Sequence, residues 1–277
     1  MFYVKHYIPT NNDWLIRKFE TFQSTEGYFV EKFMPRADIS IIFHFKSLPF
    51  IIGAPIIPLE PFFVAPVVSE SLILNMKGIF DAFVVICNPT VLSRVFNLDL
   101  TPQSNPSINL PNDLFYPLWK NMLKLDTTEK RIAYFNLFIS NFYSKPYKKD
   151  AVDILYDKIM EKGMTIPLKE IMKECNASQR TLERNFVKRT GVSPKMLVRI
   201  VRLNYLWNKV QNGKLIDYQD FVVNCNYFDQ AHFINDFKAI VGEVPSIFFK
   251  RDLNSIKIMS GQIDGSIKKN CRFFPIK

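Results

Sequence analysis

The sequence is poor in the residues that build metal, redox and nucleophilic sites: four cysteines, three histidines and nine glycines in 277 residues. Cys87, Cys175, Cys225 and Cys271 lie far apart and form no C-x-x-C pair, which argues against a zinc ribbon or a disulfide framework. His6, His44 and His232 are as dispersed. There is no glycine-rich phosphate loop, no Gly-x-Ser-x-Gly elbow and no carboxylate pair in a supporting context. The N-terminal Met1-Phe2-Tyr3-Val4-Lys5-His6 is not followed by the apolar core of a signal peptide. One stretch, Ser47 to Val68, is strongly apolar, but it contains Pro49, Pro55, Pro58, Pro61 and Pro66 together with Gly53 and Glu60. Five prolines break any helix there, so strands and turns are expected rather than a membrane span. The expectation is a soluble, cytoplasmic chain with no membrane partner, no cofactor and no enzymatic activity.

Apolar residues are plentiful, at 48%, with 14% aromatic, enough for one large core or two smaller ones. The net charge of +10 is unevenly placed. Residues 1–150 carry 15 Lys/Arg against 13 Asp/Glu, whereas residues 151–277 carry 21 against 13. A basic half joined to a near-neutral half suits a polyanion-binding module attached to something else.

The hydrophobic pattern changes period along the chain. Asp38 to Phe45, Leu72 to Met76 and Ile79 to Cys87 are short β-branched and aromatic runs, with Lys77-Gly78 as a turn. From Asn112, apolar residues recur at helical spacing through Leu114, Leu118, Met122 and Leu125, then Ile132, Phe135, Phe138, Ile139 and Phe142. The polar stretch 144–149, with Pro146, reads as a boundary. The expected fold is α+β: a β-rich, barrel- or sandwich-like domain with two trailing helices over 1–145, an all-α domain over 146–255, and a C-terminal tail over 256–277. Within the second domain, Ala151 to Lys162 reads as an amphipathic helix ended near Gly163.

That second domain contains a duplication. Ile171-Met172-Lys173-Glu174-Cys175-Asn176 aligns with Phe221-Val222-Val223-Asn224-Cys225-Asn226. Each reads as a short helix ended by Asn, which tolerates a left-handed conformation. After one extra residue in the second copy, Ser178 aligns with Asp229, both good N-caps. Leu182 and Phe186 align with Phe233 and Phe237, and Gly191 and Pro194 with Gly242 and Pro245. Helix, tight turn, capped second helix: this is the helix-turn-helix pattern, whose second helix enters the major groove of DNA. Between the copies a long helix from Ser193-Pro194 to about Gln211 is apolar on a wide face. It is expected to pack between the two units and to fix the separation of recognition helices at about 178–189 and 229–240, placing them about one turn of DNA, ~34 Å, apart.

The strings Ser178-Gln179-Arg180-Thr181-Leu182-Glu183-Arg184-Asn185-Phe186 with Gly191-Val192-Ser193-Pro194, and Tyr227-Phe228-Asp229-Gln230-Ala231-His232-Phe233 with Phe237-Lys238 and Gly242-x-x-Pro245, resemble the AraC/XylS family of bacterial transcription regulators over residues 148 to 252. The resemblance implies transcription regulation, most often activation, contact with RNA polymerase, and an N-terminal domain that binds a small effector or forms a homodimer. Phe33 to Asp38, leading into a strand, carries a fainter likeness to that companion domain. Two departures stand out. Asn176 and Asn226 replace the usual turn glycines, and the second recognition helix presents Ala231, Ile234 and Asn235 where relatives often have longer polar or basic side chains.

Double-stranded DNA is therefore the expected partner. Gln179, Arg180, Glu183 and Arg184 lie off the Leu182/Phe186 face and suit base edges: Arg to guanine, Gln to adenine, Glu to cytosine, each well-placed pair contributing ~1–3 kcal/mol of discrimination. Gln230 and Asn235 are the second helix's base-reading candidates. Thr181, Lys188, Lys195, Arg199, Arg202, His232, Lys238 and Lys250 are the phosphate candidates, which position without reading sequence. Arg202 has a second reading, as an anchor of the linker helix, and His232 as a packed ring. On this reading the first unit reads bases while the second mainly holds the backbone. Rival classes are a cupin-like metal enzyme, a DNA-repair protein fused to a DNA-binding domain, and a protein-docking module. The lone His44, without a second ligand, reads as a packed strand residue, and Cys175 and Cys225 as buried core thiols rather than nucleophiles.

Overall fold

The computed structural model describes residues 1–25, 27–53, 55–102, 107–143, 145–209 and 218–267. The chain opens with strands β1 (Phe2–Tyr7), β2 (Ile16–Ser24), β3 (Tyr28–Phe33), β4 (Ile39–His44), β5 (Phe50–Ile51), β6 (Ile57–Pro58), β7 (Phe62–Ala65), β8 (Leu72–Lys77) and β9 (Phe80–Cys87). Helices α1 (Pro89–Val95), α2 (Asn112–Met122) and α3 (Thr128–Phe142) follow. The proline-rich stretch thus becomes short strands and turns, and the two trailing helices form where the period changes.

The strands make two antiparallel sheets. One has six strands in the order β10-β1-β2-β9-β4-β7, where β10 is Gly265–Ile267, and the other has four in the order β3-β8-β5-β6. Neither sheet closes on itself, so the domain is sandwich-like rather than a barrel. The Lys77-Gly78 turn forms, with Gly78 at φ +95°. It joins strands of different sheets, because β8 pairs with β3 and β5 while β9 pairs with β2 and β4.

Strand β9 shows why its sequence is an almost unbroken apolar run. Phe83, Val85 and Cys87 face the core shared with the helices, whereas Ala82, Val84 and Ile86 face the smaller sheet. A strand buried on both faces has no polar alternation to show. Over the helical side, Phe96, Phe115, Phe135 and Phe138 pack edge-to-face and stacked.

The helical half consists of α4 (Ala151–Lys162), α5 (Leu168–Lys173), α6 (Gln179–Thr190), α7 (Pro194–Lys209), α8 (Tyr218–Asn224), α9 (Gln230–Val241), α10 (Pro245–Phe248) and α11 (Asn254–Met259). The expected extension of α7 to Gln211 lies outside the described residues. Helix α4 starts on a capping box formed by Asp150 and Asp153. The long helix α7 divides its apolar face: Leu197, Ile200 and Val201 belong to one core, Leu203, Leu206 and Trp207 to another.

Two boundaries differ from the expectation. The core that holds Phe83 and Phe135 continues through Leu155, Ile159, Leu182 and Phe186, so the polar stretch before α4 separates compositions but not packing. The segment from 256 is more than a tail. Ile256, Ile258 and Met259 are buried, and β10 pairs with β1 through Phe2↔Ile267 and Val4↔Gly265. Its few apolar residues find partners on the first strand, which no local pattern announces.

Candidate nucleic-acid interface and the cavity behind it

The two duplicated units repeat the same local features. Helices α6 and α9 are each 12 residues long. Ser178 Oγ accepts from the Thr181 N–H at 3.3 Å, and Asp229 Oδ1 from the His232 N–H at 2.7 Å. Both helices end on a left-handed glycine, Gly191 at φ +89° and Gly242 at φ +84°. The turn asparagines are not equivalent: Asn226 is left-handed at φ +53°, whereas Asn176 is absent from the positive-φ residues. In the first unit the chain turns without a left-handed residue at that position, so the expected exchange of Asn for Gly applies to the second alone.

The outward face of α6 carries Arg180, Glu183, Arg184 and Lys188, all exposed, opposite the buried Leu182, Phe186 and Thr190. Gln179 is exposed and donates to Glu183 at 2.9 Å. The Thr181 hydroxyl accepts from the Ser178 hydroxyl at 2.9 Å, so it serves the cap. On α9 the corresponding face presents Gln230, Ala231, His232, Asn235 and Lys238, all exposed, while Ile234 is half-buried against the core of the second unit. Lys195 and Lys250 are exposed at the start of α7 and after α10.

Two phosphate candidates belong elsewhere. Arg199 turns inward, its Nε 2.6 Å from Asp236 Oδ1, tying α7 to α9. Arg202 is half-buried with its guanidinium 5.2 Å over the Tyr227 ring. Tyr227 in turn donates to Asp236 at 3.3 Å, and burial followed by the Asp236 charge pushes its phenol well up. Both arginines are therefore held by the joint between α7 and the second unit. His232 sets its ring edge-on to Tyr227 at 5.2 Å.

The opposite ends of α6 and α9 dock on the β domain. The Leu100 N–H donates to the Lys188 carbonyl at 2.7 Å, and the Val67 N–H to the Thr190 carbonyl at 3.3 Å. Arg189 spans Asp150 at 2.8 Å, Asp153 at 2.6 Å and the Thr90 carbonyl at 2.6 Å. On α9, the Ser71 N–H donates to the Ile240 carbonyl at 2.7 Å and its hydroxyl to the Val241 carbonyl at 2.9 Å. Lys32, buried in β3, donates to the same Val241 carbonyl at 2.8 Å and pairs with Glu243 at 2.6 Å. These donors satisfy carbonyls that a helix C-terminus leaves open, and the cations complement its dipole. None of these partners was singled out in sequence, because each is remote along the chain from the helix it holds.

Behind this docking surface, the two sheets border an open cavity with about 110 Å³ of space for small molecules. Phe22, Ile42, Phe63, Leu74, Met76 and Phe80 line its apolar part, and Glu20, Arg36, Asp38 and Ser40 one end. Burial would raise the Glu20 carboxyl, but Arg36 at 2.9 Å, with His6 and Lys18, outweighs it and holds the group at about 2. The charged end is thus balanced internally. His44 is buried on the wall, its Nδ1 2.9 Å from the Glu60 carbonyl, and burial pushes it down to about 4. Cys175 and Cys225 are buried, and burial pushes both thiols up, Cys225 to about 11. Neither is a nucleophile in that state. Among the described residues no group of His, Cys, Asp or Glu stands together as a metal set, and no helix is long and apolar enough to cross a membrane.

Residues 171–251 match the family model of a helix-turn-helix domain. No curated protein matches the chain. Among solved structures, ToxT from Vibrio cholerae is similar at 12% identity over 90% of this chain and 98% of that one, with a TM-score of 0.43. ToxT bound to an unsaturated fatty acid is similar at 16% identity over 90% and 94%, with a TM-score of 0.42. The AraC-like transcriptional activator CuxR is similar at 11% identity over 75% and 87%, with a TM-score of 0.28.

Proposed function

We propose, from the premise that residues 171–251 form an AraC-type helix-turn-helix domain, that the chain is a sequence-specific, non-enzymatic transcription regulator whose helices α6 and α9 read successive major-groove segments. The observation that carries this is the polarity of both helices. Their capped N-termini and outward faces are free, while their C-termini are held by the β domain. A recognition helix needs its N-terminal residues at base edges. Arg180 and Arg184, one turn apart and both exposed, are the principal base readers. Lys188, Lys195, Lys238 and Lys250 contact phosphate.

The test is selection of bound genomic fragments by the full chain, followed by titration of selected and random duplexes at two salt concentrations. Arg180→Ala and Arg184→Ala are expected to weaken the selected duplex by roughly 1–3 kcal/mol more than the random one. Equal loss on both would reduce these residues to phosphate contacts, and no fragment preference in the unaltered chain would refute the reading.

Effector control rests on the segment joining β7 to β8. Pro66, Val68 and Leu72 line the cavity, whereas the intervening Val67 and Ser71 N–H groups hold the ends of α6 and α9. One short segment thus touches both the cavity and both recognition helices. An apolar small molecule that displaces it shifts the orientation of the two helices together. RNA polymerase and a second copy of the chain complete the set of proposed partners.

A further inference from the structure

The second unit departs from the first in a consistent direction. With the helices in register, Arg180 corresponds to Ala231, Arg184 to Asn235, Lys188 to Ala239 and Ala177 to Phe228. Where the first unit puts three cations, the second puts two alanines and an amide. Immediately before its N-cap it puts a phenylalanine that is 92% exposed. Among the described residues it is the most exposed large hydrophobic side chain. By contrast Phe233, Phe237 and Phe248 of this unit are each at most 2% exposed, and Phe221, Tyr227 and Phe249 are half-buried. Ala231, on the first turn of α9, is exposed too.

We propose that the second unit reads thymine by apolar contact, with Phe228 and Ala231 packing on the 5-methyl groups of an A·T-rich half-site and Asn235 reading adenine. This inference rests on the DNA-binding reading above. The chemistry follows from the major-groove edge. Thymine alone among the four bases presents a methyl group there, which pairs with Ala and Phe, and adenine presents the donor and acceptor that an asparagine amide matches. The short Ala231 side chain lets the helix backbone approach the base edges more closely than an arginine at the same place. Asn235 lies one turn beyond it on the same face. The two units then divide the work by chemistry: α6 reads with charged and amide groups, α9 with methyl contacts and one amide. This reverses the sequence-based view of the second unit as mainly a backbone holder.

The test uses the full chain and a duplex obtained by fragment selection, in which the thymines of the half-site covered by α9 are replaced one at a time by deoxyuridine. That change removes one methyl and leaves base pairing intact. Burying a methyl-sized group corresponds to about fourfold in affinity, so one or two positions are expected to show a loss of about fourfold with the unaltered chain. Phe228→Ala is expected to bind the thymine and uracil duplexes alike at one of these positions. It should keep the same dependence on salt, because no phosphate contact is lost. Its exposure means that the substitution removes no core contact. Arg180→Ala, in the other unit, is expected to retain the thymine–uracil difference. Equal binding of thymine and uracil duplexes by the unaltered chain would overturn the proposal while leaving the regulator reading standing. Failure to select any fragment would sink both. A Phe228→Ala chain that keeps the thymine preference but no longer activates transcription in a reconstituted polymerase assay would also overturn it, assigning Phe228 to a protein partner.

Discussion

Replacing Glu20 by Gln probes the electrostatic clasp between the β sandwich and the C-terminal segment. Glu20 is fully buried and pairs with Arg36, while Lys18 donates to the Gly261 carbonyl at 2.7 Å and the Ser260 hydroxyl accepts from the Met34 N–H at 2.9 Å. Its carboxyl is held at about 2 against an ordinary value of 4.5. At 1.36 kcal/mol per unit, that difference contributes about 3 kcal/mol of stability at neutral pH. The folded value is depressed, so the contribution is complete above the unfolded value and is lost as pH falls from about 4.5 towards 2. At pH 3 roughly 2 kcal/mol of it is gone. Glu20→Gln has no carboxyl to titrate and leaves buried Arg36 with only the more distant Asp38 carboxylate, at 3.9 Å, a change that costs about 3 kcal/mol. Urea denaturation of both chains at pH 7, 5 and 3 is therefore expected to give a gap in stability that narrows by about 2 kcal/mol between pH 7 and pH 3. A double replacement, Glu20→Gln with Arg36→Met, is expected to regain part of the loss because the buried guanidinium is removed with its partner. A gap that stays constant across the pH range would refute the assignment of an ionised, buried carboxylate.

Arg189→Leu leaves Asp153, 1% exposed, with the Asp150 N–H, the Tyr147 hydroxyl and the more distant Arg94 as its remaining partners. It is expected to cost about 3 kcal/mol in urea denaturation, and a cost below about 1 kcal/mol would show that the pair does not tie α6 to α4. Leu74→Trp places a bulky ring inside the intersheet cavity. It is expected to weaken binding of an apolar fluorescent probe at least tenfold, on the order of 1.4 kcal/mol, and unchanged binding would place the probe site elsewhere.

The helical half was legible because its signals are local. Caps, the i, i+4 apolar pairs and the Gly-x2-Pro exits repeat at a fixed offset, and each is decided within a few residues. The strands of 38–45, 72–76 and 79–87 were legible for the same reason. Strands β2 and β3 were not, because Glu20, Glu31 and Lys32 are buried within them and spoil the apolar pattern. Lys32 is buried there because Val241 and Glu243, more than 200 residues away, satisfy it. Arg199 was misplaced among the phosphate contacts by the same blindness: its partner Asp236 sits on the next unit. Phe228 lies within the family-like string, but its significance shows only against the burial of its neighbours.

The arrangement of the helix ends sets a condition on any effector. A ligand moves an equilibrium only by as much as it binds one state better than the other. The segment 66–72 holds α6 through one backbone hydrogen bond from Val67, at 3.3 Å, and α9 through two hydrogen bonds from Ser71, at 2.7 and 2.9 Å. Each such bond contributes about 0.5–1.5 kcal/mol net, so releasing the segment from both helices shifts the balance by about 2–4 kcal/mol, or some 30- to 1,000-fold. The Lys32–Glu243 pair and the Arg189 hydrogen bond to the Thr90 carbonyl lie on other segments. The device therefore favours a change in how α6 and α9 are aimed relative to each other over a separation of the two domains. On the proposed reading, in which both helices contact one DNA, such a change weakens a paired site more than either half-site alone.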